Sequence, residues 1–259
     1  MYKQISVLGC GWLGFPLAKH LIALGYTING SSTSPDKMDV LKENNINPFL
    51  IEVNENEVIG NMSLFLEGSD ILIINVPPQR KLNLNNYQLR LENLLLYIKQ
   101  SNIKHILFVS STSAYAHQKE LITEDTIAKP DSKAGQDILA AEQMFQNLST
   151  QKTTVLRLAG LIGEDRHPVN FLAGRKDLPN PHHAVNLIHL DECIKIMTKI
   201  IQTDSWGEVF IGVDQQHLDR KTYYTQQAIN RQLPIPHFEE NSDALDKKID
   251  NPLTKEKLL

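Results

Sequence analysis

Cysteine is nearly missing: Cys10 and Cys193 are the two thiols in 259 residues. They are too few for a disulfide framework and too far apart for metal-ligand spacing, so a reducing compartment is implied and a cytoplasmic location expected. Runs rich in lysine and arginine are missing too, and the formal net charge is −4. That leaves no electrostatic footprint for nucleic acid or an anionic membrane surface, and points to a small-molecule partner. Long apolar runs are also lacking. The most apolar opening stretch, Gly11 to Gly25, carries Lys19 and His20 and is too short to span a bilayer. "SVLGC" spells a lipoprotein cleavage box, but only Ile5 to Gly9 precede Cys10, short of the roughly 7 to 15 apolar residues of a secretory signal. Internal repeats and low-complexity tracts are absent.

What is present is a globular composition, 41% hydrophobic and 22% charged, in which strand and helix patterns alternate. "QISVLG" reads as a buried strand and "WLGFPLAKHLIALG" as an amphipathic helix stopped by Gly25. "YTINGSS" is a second strand, and "SPDKMDVLKENN" a helix capped by Ser34 with Pro35 at its first position. "PFLIEV" and "DILIINVPP" are further strands, followed by a helical stripe from Leu84 to Gln100. "KHILFVSS" is a strand covered on both faces, Asp131 or Ser132 caps a helix through Leu148, and "TTVLRLAG" is a sixth strand. After about residue 160 the pattern loosens into a loop rich in Pro, Gly, His and charge. A helix at "HLDECIKIMTKIIQ" and a strand at "GEVFIGV" follow, and the last thirty or so residues are weakly patterned. The alternation predicts an α/β fold: a Rossmann-type doubly wound parallel sheet over residues 1–165, with a smaller C-terminal substrate lobe over 166–259 and elements interleaved between them.

The first strand runs into "GCGWLG", which places Gly9, Gly11 and Gly14 in dinucleotide-binding spacing at the opening of a helix. In that context Gly9 makes the tight turn, Gly11 lets a pyrophosphate approach the backbone, and Gly14 lets helix and strand pack closely. The amides of the first turn, through Trp12 and Leu13, face the phosphates. At the end of the second strand stand Asn29, Gly30, Ser31, Ser32 and Thr33 where an acidic residue would bind the ribose of NAD. With no carboxylate and three hydroxyls, NADP is favoured over NAD. No arginine or lysine stands in that stretch, the nearest being Lys37, and hydroxyls at a strand end also serve ordinary turns.

Other polar residues are less pointed. His167, His182, His183 and His189 lack a ligand pattern and read as surface or loop histidines, so no metal site is expected. Arg157 and Arg166 suit a phosphate or carboxylate clamp, while Arg157 inside an apolar strand equally suits a structural ion pair. Ser111 and Ser113 lie at a strand's C-terminal end, where parallel sheets place ligand contacts and where hydroxyls also satisfy the local backbone.

Several motifs in order, "VLGCGWLG", "LEGSDILIINVPP", "YQLRLENLLLYIKQSNIKHILFVSSTSAYA", "LRLAGLIG" and "VNLIHLDECIKIM", resemble the extended, epimerase/dehydratase-like branch of the short-chain dehydrogenase/reductase superfamily. The spelling is similar to its atypical YeeZ-like members, over about 200 residues. The resemblance implies that Asn75 to Pro78, including Pro77, border the cofactor, that Ser111 stands at the catalytic serine, and that Ala159 to Gly163 pass near the nicotinamide.

"YAHQK" at 115–119 copies the superfamily's Tyr-x-x-x-Lys pair, but the resemblance puts that pair on the helix after the fifth strand, one turn apart on one face. With Glu142 as anchor, the expected tyrosine falls on Ala134 and the expected lysine on Ile138, neither able to move a proton. Ile138, Ala141, Phe145 and Leu148 form an apolar stripe that wants burial. Tyr115 instead has a counterpart that is not the general acid, and Lys119 sits on a loop. The resemblance therefore implies an NAD(P)-dependent oxidoreductase or epimerase on a small polar, nucleotide-sugar-like substrate, with Ser111 polarising the substrate oxygen and Tyr115 or a water as a poor substitute acid. The other reading is a non-catalytic NADP(H)-sensing or regulatory protein. Substrate identity, oligomeric state and reaction direction stay open.

Overall fold

A computed structural model describes residues 3–78, 87–214, 218–240 and 246–259. Seven strands form the central sheet: β1 (Gln4–Leu8), β2 (Thr27–Ser32), β3 (Asn47–Leu50), β4 (Ile71–Ile74), β5 (His105–Ser111), β6 (Lys152–Leu158) and β7 (Val209–Gly212). They lie in the order β3-β2-β1-β4-β5-β6-β7, every neighbouring pair parallel. The chain reverses its direction of travel across the sheet between β1 and β4. At such a switch point, beyond the carboxyl ends of the strands, open α/β sheets hold their ligands.

The helices are α1 (Gly14–Ala23), α2 (Lys37–Glu43), α3 (Met62–Leu66), α4 (Tyr87–Glu92), α5 (Leu95–Gln100), α6 (Lys133–Gln146), α7 (Val169–Leu172), α8 (Leu190–Gln202), α9 (Arg220–Asn230) and α10 (Pro252–Leu258). On one face of the sheet Leu17 and Leu21 of α1 and Met197 and Ile200 of α8 pack with Val7, Ile73, Leu107 and Leu156. On the other, Phe65 of α3, Leu91 of α4, Ile98 of α5 and Phe145 of α6 pack with Leu8, Leu72, Ile74 and Phe108. Every residue of β4 is fully buried, the consequence of helices on both faces. Each such aliphatic side chain contributes about 1.5–3 kcal/mol of burial free energy.

β7 and α8, which come after residue 165, thus complete the main sheet and its cover. A smaller apolar cluster joins α7, α9 and the strand Leu187–His189 through Val169, Leu187, Tyr223 and Tyr224. That strand pairs in parallel with Gly160–Ile162.

Local departures from the sequence reading have identifiable causes. The helical stripe from Leu84 breaks into α4 and α5 at Asn93, whose amide donates to Asn54 O at 2.9 Å; Leu84 itself lies outside the described residues. Ser34 and Pro35 form a turn before α2 through their carbonyl oxygens, and the helix starts at Lys37 without a side-chain cap. "PFLIEV" divides at Ile51, and Glu52–Val53 turns away to pair with Val58–Ile59. That ribbon, α3 with its Asn61 cap, and α9 were not anticipated.

Candidate dinucleotide site

The glycine turn is built by close contact. Gly9 has φ +100°, and a Cβ there would stand 2.5 Å from Asn75 O, so no L-residue fits. A Cβ on Gly14 would stand 2.2 Å from Gly9 O, which shows how tightly α1 presses on the end of β1. Asn75 locks the arrangement: its Nδ2 donates to Gly9 O at 2.9 Å, and its backbone N–H donates to Leu8 O at 2.9 Å. Gly11 is different, since a Cβ there would meet nothing within 4 Å. The space beside it belongs to a cavity of about 480 Å³ at the switch point. No side chain caps α1, whose first residue follows Leu13 directly. The first turn of α1, next to Gly11, thus keeps its amides and the positive end of the helix dipole without a side-chain partner, and these residues fit a diphosphate.

The remaining residues expected at the cofactor are distributed unevenly. Ser31, Ser32, Thr33, Asn75 and Pro77 line the cavity together with Gly9 and Gly11. Ser31 is buried and accepts the Gly9 N–H on its Oγ at 2.9 Å, while Ser32 Oγ accepts the Ser34 N–H at 3.1 Å, so both hydroxyls also serve the backbone. Leu13 is buried in the core, leaving only its backbone to a ligand. Trp12 lines not this cavity but the recess that adjoins it at Gly11: Nε1 donates to Asp165 Oδ1 at 2.9 Å, Arg166 stacks 5.0 Å from its ring centre, and a Cβ on Gly163 would touch the ring at 2.8 Å. The stretch ending at Gly163 thereby abuts the glycine turn. The sequence reading missed Lys37, Glu52 and Arg90 as lining residues. Lys37 also borders an adjoining recess with Phe15 and Val40, and Cys10, shared by both spaces, is a thiol whose pKa burial raises to about 12.

Ser111 and Tyr115 do not line this cavity. Ser111, half-buried at the end of β5, accepts the Ser113 N–H at 3.1 Å and lies 3.0 Å from the Ser113 hydroxyl. A Cβ on Gly135 would stand 2.2 Å from Ser113 O, so the first turn of α6 packs on this same turn. On α6, Ala134 is exposed and Ile138 is buried among Ala141 and Phe145.

The expectation of Tyr115 as substitute acid needs correction. The residue is 1% exposed, and its hydroxyl accepts from Arg157 Nη1 at 2.7 Å inside the core. Burial raises the phenol's pKa, with the adjacent guanidinium opposing. Lys119 is exposed on its loop; Lys247 is the residue that donates to the Tyr115 carbonyl oxygen. Arg157 is the structural ion pair of its two readings, joined to the fully buried Glu142. His167 is likewise no surface histidine: it is 3% exposed, accepts the Val169 N–H on Nδ1 at 3.1 Å and lies 3.0 Å from the Tyr223 hydroxyl. His189 caps α8 by accepting the Asp191 N–H. Among the described residues no group of three or more His, Cys, Asp or Glu is placed to hold a metal ion, and no helix is long and apolar enough to cross a membrane.

No known family's sequence profile matches the chain. It is 32% identical over 249 residues to protein YeeZ of Escherichia coli (strain K12), covering 95% of this chain and 90% of that protein. Among solved structures it is similar to a conserved protein of unknown function from Silicibacter pomeroyi DSS, with TM-score 0.81, 22% identity and coverage of 99% and 92% of the two chains. It is also similar to the UDP-glucuronic acid 4-epimerase of Bacillus cereus, solved with NAD, at TM-score 0.80, 16% identity and coverage of 98% and 90%. Strand order and glycine turn together define a Rossmann-type α/β protein, with the same fold as the Bacillus cereus epimerase. By its sequence the chain belongs to the YeeZ family.

Proposed function

We propose that the chain binds NADP, or NAD less well, and acts as an NAD(P)-dependent oxidoreductase or epimerase on a small polar, nucleotide-sugar-like substrate. The observation that carries the reading is the open space over Gly11, between two glycines that leave no room for a side chain. Gly9, Gly11 and the amides of Trp12 and Leu13 hold the diphosphate, and Asn75 fixes the turn that presents them. Ser32, Thr33 and Lys37 face the adenosine ribose with donors and a positive charge, which favours a 2'-phosphate. Bound there, the cofactor supplies hydride exchange at its nicotinamide ring. The substrate class rests on likeness to the Bacillus cereus epimerase, and so is fold-level analogy. Ser111 orients the substrate oxygen. Ala134 and Ile138 carry no proton and Tyr115 is held by Arg157, so the proton comes from water.

The test is a fluorescence titration with NADPH and NADH, then a screen of nucleotide sugars for hydride exchange with C4-deuterated cofactor. Tight NADPH binding with label transfer that Ser111→Ala abolishes is the expected result; failure of both nucleotides to bind would end the proposal. The α6 surface, lacking both members of the proton-transfer pair, favours a second reading: an NADP(H)-sensing or regulatory protein, recognised by binding without label transfer to any sugar.

A further inference from the structure

Among the described residues two arginines are buried, Arg90 and Arg157, and they are matched very differently. Arg157 is 6% exposed and satisfies three nitrogens on Glu142 and Tyr115. Arg90, on α4, is also 6% exposed, but it has one hydrogen bond, from Nε to Val53 O at 3.0 Å. Among the described residues no carboxylate lies within ion-pair reach of it and neither Nη has an acceptor. Those nitrogens are not sealed in the interior either, because the side chain lines the cavity beside the glycine turn. Burying a guanidinium without a counter-charge is costly, so unmatched N–H groups aimed into a ligand cavity are donors kept for a ligand's acceptors.

Position decides which acceptors. The phosphates belong at Gly9 and Gly11, and the ribose at Ser32 and Lys37. Arg90 is anchored at Val53, past the end of β3, where Ile51, Val53 and Val76 supply apolar walls. Apolar walls with a donor at the edge suit a flat heteroaromatic base, whose faces are apolar and whose rim carries ring nitrogens, rather than a phosphate. We propose that Arg90 is a cofactor-binding residue that donates from its Nη atoms to ring nitrogens of the adenine. This rests on the dinucleotide reading above.

The test titrates the full chain, Arg90→Met and Arg90→Lys with NADPH, NADH and reduced nicotinamide mononucleotide, which lacks the adenosine half. Arg90→Met should weaken NADPH and NADH by the same factor, on the order of tenfold, and leave the mononucleotide unchanged. Arg90→Lys, which keeps charge and stem if the methionine variant fails to fold, should recover part of the loss. Unchanged dinucleotide affinity would overturn the assignment, as would a loss confined to NADPH, which would put the guanidinium on the 2'-phosphate. Equal weakening of all three ligands would make Arg90 a structural support of the cavity and overturn it too. A wild-type chain that binds none of the three overturns the dinucleotide reading itself, an outcome distinct from any failure of the variants.

Discussion

Arg157 joins Glu142 and Tyr115 in the core: its Nη2 donates to Glu142 Oε2 at 2.6 Å and its Nη1 to the Tyr115 hydroxyl at 2.7 Å. Ser110 adds its hydroxyl to the other carboxylate oxygen, and the Arg157 guanidinium lies 4.8 Å from the Tyr115 ring centre. A phenol so held is an acceptor for a buried cation, not a proton donor to a substrate. Tyr115→Phe should therefore cost about 1–3 kcal/mol in denaturant unfolding, by leaving Nη1 without its acceptor, while dinucleotide affinity stays within about twofold. Loss of activity without loss of stability would return Tyr115 to the chemistry. Glu142→Gln should destabilise by about 3–5 kcal/mol, since it strips the counter-charge from a buried guanidinium.

Lys37 borders both the cavity and the recess next to it, close to Ser32 and Thr33. Reversing its charge tests nucleotide choice. Lys37→Glu should weaken NADPH by roughly tenfold or more and NADH by far less, because only the 2'-phosphate puts two added negative charges near residue 37. Competitive titration of the two nucleotides measures the ratio; equal weakening would remove Lys37 from phosphate recognition.

His167 makes stability depend on pH. Burial holds its folded pKa down at about 4, against an unfolded value of 6.5, with Arg231 adding to the depression. The unfolded chain takes up this proton first, so the stabilisation is complete above about 6.5 and is lost as pH falls from there toward 4. Its ring is matched as the neutral form, Nδ1 accepting from Val169. Urea unfolding between pH 7 and 4 should show that fall, and His167→Gln should flatten it. An unchanged slope in the variant would show that other groups govern the acid limb.

The sheet was legible because its signal is redundant. A run such as Ile71–Ile74 has nowhere to go but a strand covered on both sides, and Gly9 and Gly14 each have one steric reason to be glycine. Ile138, Ala141, Phe145 and Leu148 announced a buried stripe, and the structure buries the first three and packs a half-buried Leu148 against the same cluster. Lys37, Glu52 and Arg90 were not legible as cavity residues, because their meeting depends on how the start of α2, the ribbon strand after β3 and helix α4 converge across the sheet. The same holds for the Glu142–Arg157–Tyr115 chain, whose members come from α6, β6 and the loop after β5. His167 was read as a surface or loop histidine; it does lie in a loop, but its burial was not legible, because a histidine amid Pro, Gly and charge carries no periodicity and Tyr223, its partner, is 56 residues away.

The central claim, that the switch-point cavity holds a diphosphate against the Gly11 backbone, is tested most directly by pairing Gly11→Ala with Gly14→Ala. A Cβ on Gly11 meets no protein atom within 4 Å, whereas one on Gly14 stands 2.2 Å from Gly9 O. Gly11→Ala should keep its Tm within about 2 °C of the parent and lose NADPH affinity by roughly tenfold or more, while Gly14→Ala should lose stability. NADPH binding that is undiminished in a stably folded Gly11→Ala chain would contradict the account.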